Sequence, residues 1–462
     1  MSAQKPQQTS NQNDNGLRRM FSRDSLKMAF AMAVVPNILF VATSPLFLAE
    51  RLISPLLYVA VGLLSLILPT WLGITLFLLV AIVDLGLITM FAFHLPINVA
   101  IDSIRYTTAI DVGASLFYIA VVSGLLFTTL YSFYLIKRNR FRFRAASPIP
   151  AVIIAMSLSY HDWTNTYPYF VQPGGNFDSA RIQGRLTDET IIRQRKNLLI
   201  VMVEGLGAFV DDNHRALFDE KLTANLPENR FTFTRGNNFF KGSTTGAAAR
   251  ELCGFWGDYL DFLENTEIDS EMCLPNILAD HGYKTSAYHA FGTHMFLRDQ
   301  WYPKIGFKSL HFQDELLQEA GEKLPGRCGS VFSGLCDLEV ADLVKSELTN
   351  DEDDPKFVYW LTLNTHIPYV KEINGPLQCN SANAAIGNDT VCELTELWLE
   401  VMEKVNEIAT DPNLPPTDIL IVGDHHTPLW ERDAKDHFIL NKVDWYLLRD
   451  NRKSETTTLA LN

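Results

Sequence analysis

No cysteine precedes Cys253, and no C-x-x-C spacing occurs anywhere in the 462 residues. The common zinc-finger and ribbon frameworks are therefore excluded. Positive charge is also in deficit: 39 Lys and Arg stand against 53 Asp and Glu, a net charge of −14. A general nucleic-acid binder would carry the opposite balance. Charge is sparse in the first third, where long apolar runs dominate. No internal repeat is present. The length allows two or three domains. The six cysteines, Cys253, Cys273, Cys328, Cys336, Cys379 and Cys392, are an even set confined to the remainder of the chain. That distribution suggests disulfides in an oxidising compartment. Cys328–Cys336 and Cys379–Cys392 are plausible local pairs, and sequence leaves the connectivity open.

The apolar third divides into segments. Residues 1–24 read as a disordered cytoplasmic arm, rich in Gln, Asn and Ser at its start and basic at its end. Residues 25–162 read as a transmembrane domain of about five spans. Met28 to Leu48, Leu52 to Leu68, Trp71 to Phe93 and Val112 to Ile136 approach bilayer length, and Ile149 to Leu158 is weaker. The first is too long for a signal-peptide core. Lys137, Arg138, Arg140, Arg142 and Arg144 crowd the end of the fourth segment. Basic loops face the cytoplasm, so this cluster and the arm share one side, and the weak fifth segment carries the rest outward. Asp84 inside the third segment is either a functional group or an ion-pair partner within the bundle. Residues 163–196 read as a linker along the membrane surface, with Pro168, Pro173, Gly174 and Gly175.

Residues 197–462 read as an extracytoplasmic α/β domain. Leu198 to Val203 is a short apolar run of the kind buried on both faces of a parallel sheet. Phe357 to Leu363 and Asp418 to Val422 are similar, and Glu393 to Ile408 has helical periodicity. The alternation predicts a mainly parallel sheet flanked by helices. Ligands in such sheets sit outside the carboxyl ends of the strands. Glu204 follows the first strand and Asp424-His425-His426 follow a late one. A carboxylate and an imidazole at strand ends suit a divalent transition metal. Thr244 and Thr245 follow Gly242-Ser243 at the start of an Ala-rich helix. A hydroxyl there is usually an N-cap. Beside a metal it could also serve as an activated nucleophile.

In this order the motifs resemble the lipoteichoic acid synthase, phosphoglycerol and phosphoethanolamine transferase group of the alkaline phosphatase–sulfatase superfamily. The stretch Cys273 to Phe307, CLPNILADHGYKTSAYHAFGTHMFLRDQWYPKIGF, and Trp360 to Tyr369, WLTLNTHIPY, resemble two further family segments. The resemblance covers about Asn197 to Leu448. It implies Glu204, Thr244, Asp424 and His425 as ligands of one divalent ion, Mn2+ or Zn2+. It implies Thr244 as covalent nucleophile, with Thr245 as rival. His366, Arg298, His289 and His437 would meet phosphate, headgroup or acceptor, although a buried structural role competes for His289. His426 stands where glycine is frequent, Ala247 to Ala249 where some relatives are polar, and Phe296 where tryptophan occurs. The implied activity is transfer of a phospho-headgroup, phosphoglycerol favoured, from a phospholipid to a periplasmic glycan or glycolipid, in a bacterial inner membrane and without nucleic acid. The alternatives are phosphoethanolamine transfer to lipid A or glycan, a metal-dependent phosphodiesterase or phosphatase, and a non-catalytic sensor or scaffold. Cys273-Leu274-Pro275-Asn276-Ile277 begins like the C-x-P-x-R that sulfatases convert to formylglycine, but lacks the arginine.

A reporter that works only in the cytoplasm, fused after Leu448, is expected to stay silent. Strong signal would overturn the outward orientation and the disulfide reading together.

Overall fold

In the computed structural model of the chain, the described residues are 20–47, 51–93, 95–107, 109–170, 177–264, 269–320, 326–350, 353–370 and 375–453. Most of the expected disordered arm, and Pro173 to Gly175 of the expected linker, lie outside them. The chain forms two compact units. The first comprises Met1–Ala92, Leu116–Val171 and Trp430–Arg432; the second comprises Phe93–Ser115, Gln172–Leu429 and Asp433–Asn462.

In the first unit, three described helices are long and apolar enough to cross a membrane: α1, Arg23–Thr43, α3, Thr70–Ala92, and α4, Leu116–Arg138. They correspond to the first, third and fourth expected segments. The second segment forms the shorter α2, Ser54–Ser65, about 18 Å at 1.5 Å per residue, against a hydrocarbon core of about 30 Å. The fifth lies in α5, Ile149–Phe170, whose sequence turns polar at His161 and Asp162. Ser22 caps α1 by accepting from the Ser25 amide at 3.2 Å. Around Pro36 the helix passes through a π turn, Phe30–Val34, and a 3-10 turn, Val35–Asn37, because proline has no amide to donate.

Asp84 is fully buried and pairs with Arg51: Nε donates to Oδ1 at 2.8 Å and Nη2 to Oδ2 at 2.5 Å. The pairing reading of Asp84 therefore accounts for its burial. Lys137, Arg140 and Arg144 donate to main-chain carbonyls of Ser65, Leu66, Ile67 and Leu68 at the end of α2. Positive charge at a helix C-terminus is favourable, and the carbonyls there have no partners within the helix.

The second unit is built on an eight-stranded sheet. Its strands are β1, Asn197–Val203, β2, Gly207–Phe209, β3, Phe231–Phe239, β4, Lys284–His289, β5, Ser309–His311, β6, Lys356–Leu361, β7, Thr417–Gly423, and β8, Phe438–Asp450. The order is β2-β8-β7-β1-β6-β4-β5, with β3 also on β8. From β7 to β5 all pairs are parallel; β8 is antiparallel to β7, β2 and β3. The expected parallel sheet thus gains an antiparallel flank. Along β1 the side chains alternate between two cores. Leu199, Val201 and Val203 enter one; Leu198, Ile200 and Met202 enter the other. Period-two alternation explains a continuous apolar run covered on both faces. One face is closed by α9, Asp337–Thr349, and α10, Asp389–Ala409; the other by α6, Thr244–Ala248, α7, Leu274–Asp280, and α8, Arg298–Ile305.

All six cysteines are paired, as Cys253–Cys273, Cys328–Cys336 and Cys379–Cys392. Two regions integrate more deeply than expected. Phe93–Ser115, expected within the transmembrane domain, belongs to the second unit. There the Asp111 amide donates to Val331, Tyr259 donates to Asp102, and Tyr106 packs on Phe296. Ala180–Gln183, expected as linker, is held by Glu251, which accepts from the Ala180 and Arg181 amides at 3.1 Å each.

Removing one half of the buried Arg51–Asp84 pair should destabilise the first unit by roughly 3–5 kcal/mol. The double variant Arg51→Met/Asp84→Leu should recover most of that loss. Thermal melts of the detergent-purified protein check both expectations; equal melting of Asp84→Leu and wild type would remove the pair from the stability account.

Candidate functional site

Four parallel neighbours, β7, β1, β6 and β4, end on the same edge of the sheet. Their carboxyl ends supply Asp424 and His425, then Glu204, then Thr362 to His366, then His289. Gly205 has φ +67°, which turns the chain sharply after Glu204. At Gly423 a Cβ would come within 1.9 Å of the Leu206 carbonyl oxygen. Glycine there lets the ends of β7 and β1 close together.

Ligand atoms of Glu204, Asp424 and His425 lie within 4.8 Å of one another, and all three residues are buried. His425 Nε2 is 3.4 Å from Glu204 Oε1 and 3.3 Å from Asp424 Oδ2. Asp424 Oδ1 accepts from the amides of Gly205 at 2.7 Å and His425 at 2.6 Å. The Glu204 main chain is held on three sides. Its amide donates to Thr362 Oγ1 at 3.0 Å, and its carbonyl accepts from Thr365 Oγ1 at 2.7 Å and Trp398 Nε1 at 3.1 Å. His425 Nδ1 lies 3.0 Å from the His426 carbonyl. A carbonyl only accepts, so Nδ1 carries a proton and Nε2 faces the carboxylates.

The electrostatics follow from burial. Burial, then the charge of Glu204, push the Asp424 carboxyl up to about 7. Burial pulls the His425 imidazole down, but Asp424 and Glu204 together outweigh it and raise it to about 9. A proton on His425 then does part of what a cation would do. Among the described residues, however, Glu204 Oε1 is buried with nothing closer than the 3.4 Å approach of His425 Nε2. Two adjacent buried carboxylates, an under-bonded oxygen and an imidazole nitrogen that can release its proton fit a divalent ion held by N and O ligands. That donor set does not choose between Mn2+ and Zn2+.

Thr244 completes the cluster. Its hydroxyl donates to Asp424 Oδ2 at 2.9 Å and approaches Glu204 Oε2 at 3.4 Å. Ser243 is the N-cap of α6, accepting from the Gly246 amide at 3.3 Å. Thr245 turns away and donates to Asp258 Oδ1 at 2.7 Å, while Ser243 donates to Asp258 Oδ2 at 2.6 Å. Asp258 thus fixes the residues on either side of Thr244. In the π turn that follows, Ala249–Cys253, the buried Arg250 donates to the carbonyls of Gly423 and Asp424 at 2.9 and 3.2 Å.

His366 lies nearby, with Nε2 3.9 Å from Glu204 Oε1. Its ring is tilted against Phe332 at 3.9 Å and stacked on Phe93 at 5.6 Å. Burial, then the His425 charge, lower its pKa to about 4, so the ring is neutral at pH 7. Its loop is clamped by Asp337, which accepts from the Leu363 and Asn364 amides. Arg298 is buried, and its Nε has no acceptor among the described residues. Phe296 and Leu297 just before it have φ of +54° and +51°. Two consecutive non-glycine residues in this region cost energy and mark an over-determined backbone. His289 is buried with Nδ1 3.0 Å from the Leu361 carbonyl, and burial, then Arg298, lower its pKa. His437 is not brought to the cluster by any of these bonds; its ring stacks on His214 at 5.7 Å. His426 is buried, with Nδ1 3.0 Å from the Thr427 carbonyl. Ala247, Ala248 and Ala249 are core residues.

With this geometry in view, comparison with known families gives one decisive result. The family model described as Sulfatase matches residues 196–437, more than half of the chain. The chain belongs to the sulfatase family. The superfamily resemblance read from the sequence is thereby shown. No curated protein matches the chain. Similar solved structures include the lipoteichoic acid synthase LtaP from Listeria monocytogenes, 14% identical over 57% of this chain and 68% of that one, TM-score 0.36. The phosphoglycerol transferase GacH from Streptococcus pyogenes, in complex with sn-glycerol-1-phosphate, is 12% identical over 62% and 79%, TM-score 0.37. The C-terminal periplasmic domain of EcEptC from Escherichia coli, in complex with zinc, is 15% identical over 57% and 75%, TM-score 0.37.

Glu204→Gln, Asp424→Asn and His425→Gln should each lower metal content. Each should cost at least about the 10–100-fold in affinity typical of losing an outer partner. Elemental analysis of purified variants tests this, and full occupancy in all three would sink the ligand assignment.

Proposed function

We propose that the protein is a metal-dependent phosphotransferase of a bacterial inner membrane, with its catalytic unit in the periplasm. In this reading it moves a phospho-headgroup, phosphoglycerol favoured, from a phospholipid to a glycan or glycolipid through a phosphothreonine at Thr244. The observation that carries the reading is the division of labour between two adjacent hydroxyls. Thr244 Oγ1 points at Asp424 and Glu204, whereas Thr245 Oγ1 is committed to Asp258. Three helices long and apolar enough to cross a membrane support a lipid-directed activity. Sulfate-ester chemistry through formylglycine is disfavoured, because Cys273 is bonded to Cys253 and the C-x-P-x-R arginine is missing.

Glu204, Thr244, Asp424 and His425 would hold the ion. When bound, it supplies Lewis-acid stabilisation of phosphoryl charge and lowers the pKa of the Thr244 hydroxyl. The protein's own groups do the rest. Asp424 Oδ2 orients the Thr244 hydroxyl through the 2.9 Å bond. Oγ1 attacks phosphorus, the bond to the diacylglycerol oxygen breaks, and that oxygen leaves with a proton as a hydroxyl. The acceptor hydroxyl then attacks the phosphothreonine, the P–Oγ1 bond breaks, and Thr244 regains a proton. Arg298, with Nε unpaired, suits an anionic phosphate oxygen. Neutral His366 suits a headgroup or acceptor hydroxyl. Phosphoglycerol is preferred because the segment around Arg298 resembles that branch of the family.

Thr244→Ala should abolish diacylglycerol release from labelled phospholipid and remove label from the peptide spanning Gly242 to Arg250. Thr245→Ala should retain turnover and lose about 1–3 kcal/mol of stability, since Asp258 is left short of a donor. Normal turnover by Thr244→Ala would remove it from the mechanism. Free headgroup in place of glycan product would point to a hydrolase, and no diacylglycerol from any donor with metal present would favour a scaffold.

A further inference from the structure

We propose that the first unit binds an anionic glycerophospholipid in a cavity between the start of α1 and the end of α4. The cavity measures about 900 Å³. Arg23 and Lys27 line it from α1, and Arg138 and Arg142 from the end of α4 and the turn beyond. Phe30 and Phe141 stand among its apolar walls. Among the described residues no acidic one lines it; Asp24, in the same turn as Arg23, is not part of the lining.

The four cations differ from their neighbours in the basic cluster. Lys137, Arg140 and Arg144 spend their donors on the carbonyls that end α2. Among the described residues, none of Arg23, Lys27, Arg138 and Arg142 has a carboxylate within ion-pair distance, and Arg138 donates to the Tyr134 hydroxyl at 3.0 Å. Four like charges around one space repel each other, and an anion removes that cost. Water or a free phosphate would answer the charges but not the walls. Phe141 is 85% exposed and Phe30 50%, which is unfavourable in water and favourable against acyl chains. Basic pockets among membrane helices take anionic headgroups for these two reasons together. A zwitterionic lipid offers no net charge to four cations, so the ligand class is a net-negative glycerophospholipid. The site is separate from the Glu204–Asp424 cluster, and it stands whether or not the transferase reading does.

The full chain, reconstituted into nanodiscs of equal parts phosphatidylcholine and phosphatidylglycerol, tests the proposal. Native mass spectrometry should find retained phosphatidylglycerol, and hydrogen exchange over residues 23–31 and 138–143 should slow relative to pure phosphatidylcholine. Arg23→Gln/Arg142→Gln should cut retention on the order of tenfold. Arg193→Gln/Arg195→Gln, which removes equal charge from the second unit, should leave it unchanged. If the cavity variants fail to fold, the wild-type exchange comparison alone decides. Wild-type protein that shows no preference for phosphatidylglycerol would overturn the proposal. So would equal loss in both double variants, or equal slowing by glycerol phosphate in phosphatidylcholine discs.

Discussion

Two carboxylates buried side by side at the ends of parallel strands are the constraint from which the rest of the second unit follows. Burial and mutual repulsion both disfavour two negative charges there. The fold keeps Glu204 and Asp424 in place by building donors around their backbones rather than by neutralising them with a lysine or arginine. Thr362, Thr365 and Trp398 hold Glu204, the Gly205 and His425 amides hold one oxygen of Asp424, and Arg250 grips the carbonyls of Gly423 and Asp424. What these contacts leave free, among the described residues, is one side of the pair, where Glu204 Oε1 has only His425 at 3.4 Å and where Thr244 converges. An arginine placed directly on the carboxylates would have settled the charge and closed the site. The Arg250 guanidinium instead pairs with the buried Glu251 and grips main-chain oxygens, which leaves the ligand face open.

The sheet edge was legible because its residues follow their strands immediately. Glu204 comes one residue after β1, and Asp424 one residue after β7. An apolar run followed by a carboxylate is a local pattern, and parallel pairing brings such ends together without further information. Thr244 was legible from its place before an Ala-rich helix. The supporting residues were not. Asp258, Asp337 and Arg250 belong to no local pattern in the sequence that marks them, and their roles depend on long-range packing. Asp337 reaches the loop after β6 from the first turn of α9, 26 residues earlier in the chain than Leu363. No periodicity reports such a contact. Phe93–Ser115 was misplaced for a related reason. It lies between two apolar segments, so composition assigns it to them, whereas Tyr106, Asp102 and Asp111 tie it to the second unit. β8 escaped because its polar residues are paired: Asp444 accepts from the Phe209 amide at 3.2 Å and from Arg215.

In the first unit the same logic appears with the signs reversed. The basic cluster reads in sequence as a topology signal, and nothing about it distinguishes one arginine from another. In the structure three of its members finish α2, a helix too short to leave its terminal carbonyls in a polar interface unaided. Among the described residues, the others have no carboxylate within ion-pair distance. A charge count treats the cluster as uniform; hydrogen bonds divide it into groups that serve the fold and groups that face outward.

Thr244 and Thr245 show most directly how the architecture selects a reactive group. Both are threonines, both begin α6, and adjacent helix positions are about 100° apart around the axis. Geometry alone therefore guarantees that they face different neighbours, but not which one faces the carboxylates. Asp258 makes that choice. Its two oxygens take the hydroxyls of Ser243 and Thr245, separated by one residue, and so fix the roll of the helix start. With both flanking hydroxyls held behind, the remaining one can only project toward Asp424. Burial raises the pKa of Asp258, and the hydrogen bonds from Ser243, Thr245 and the Tyr259 amide oppose that rise. The same contacts that stabilise its charge thus aim the hydroxyl between them.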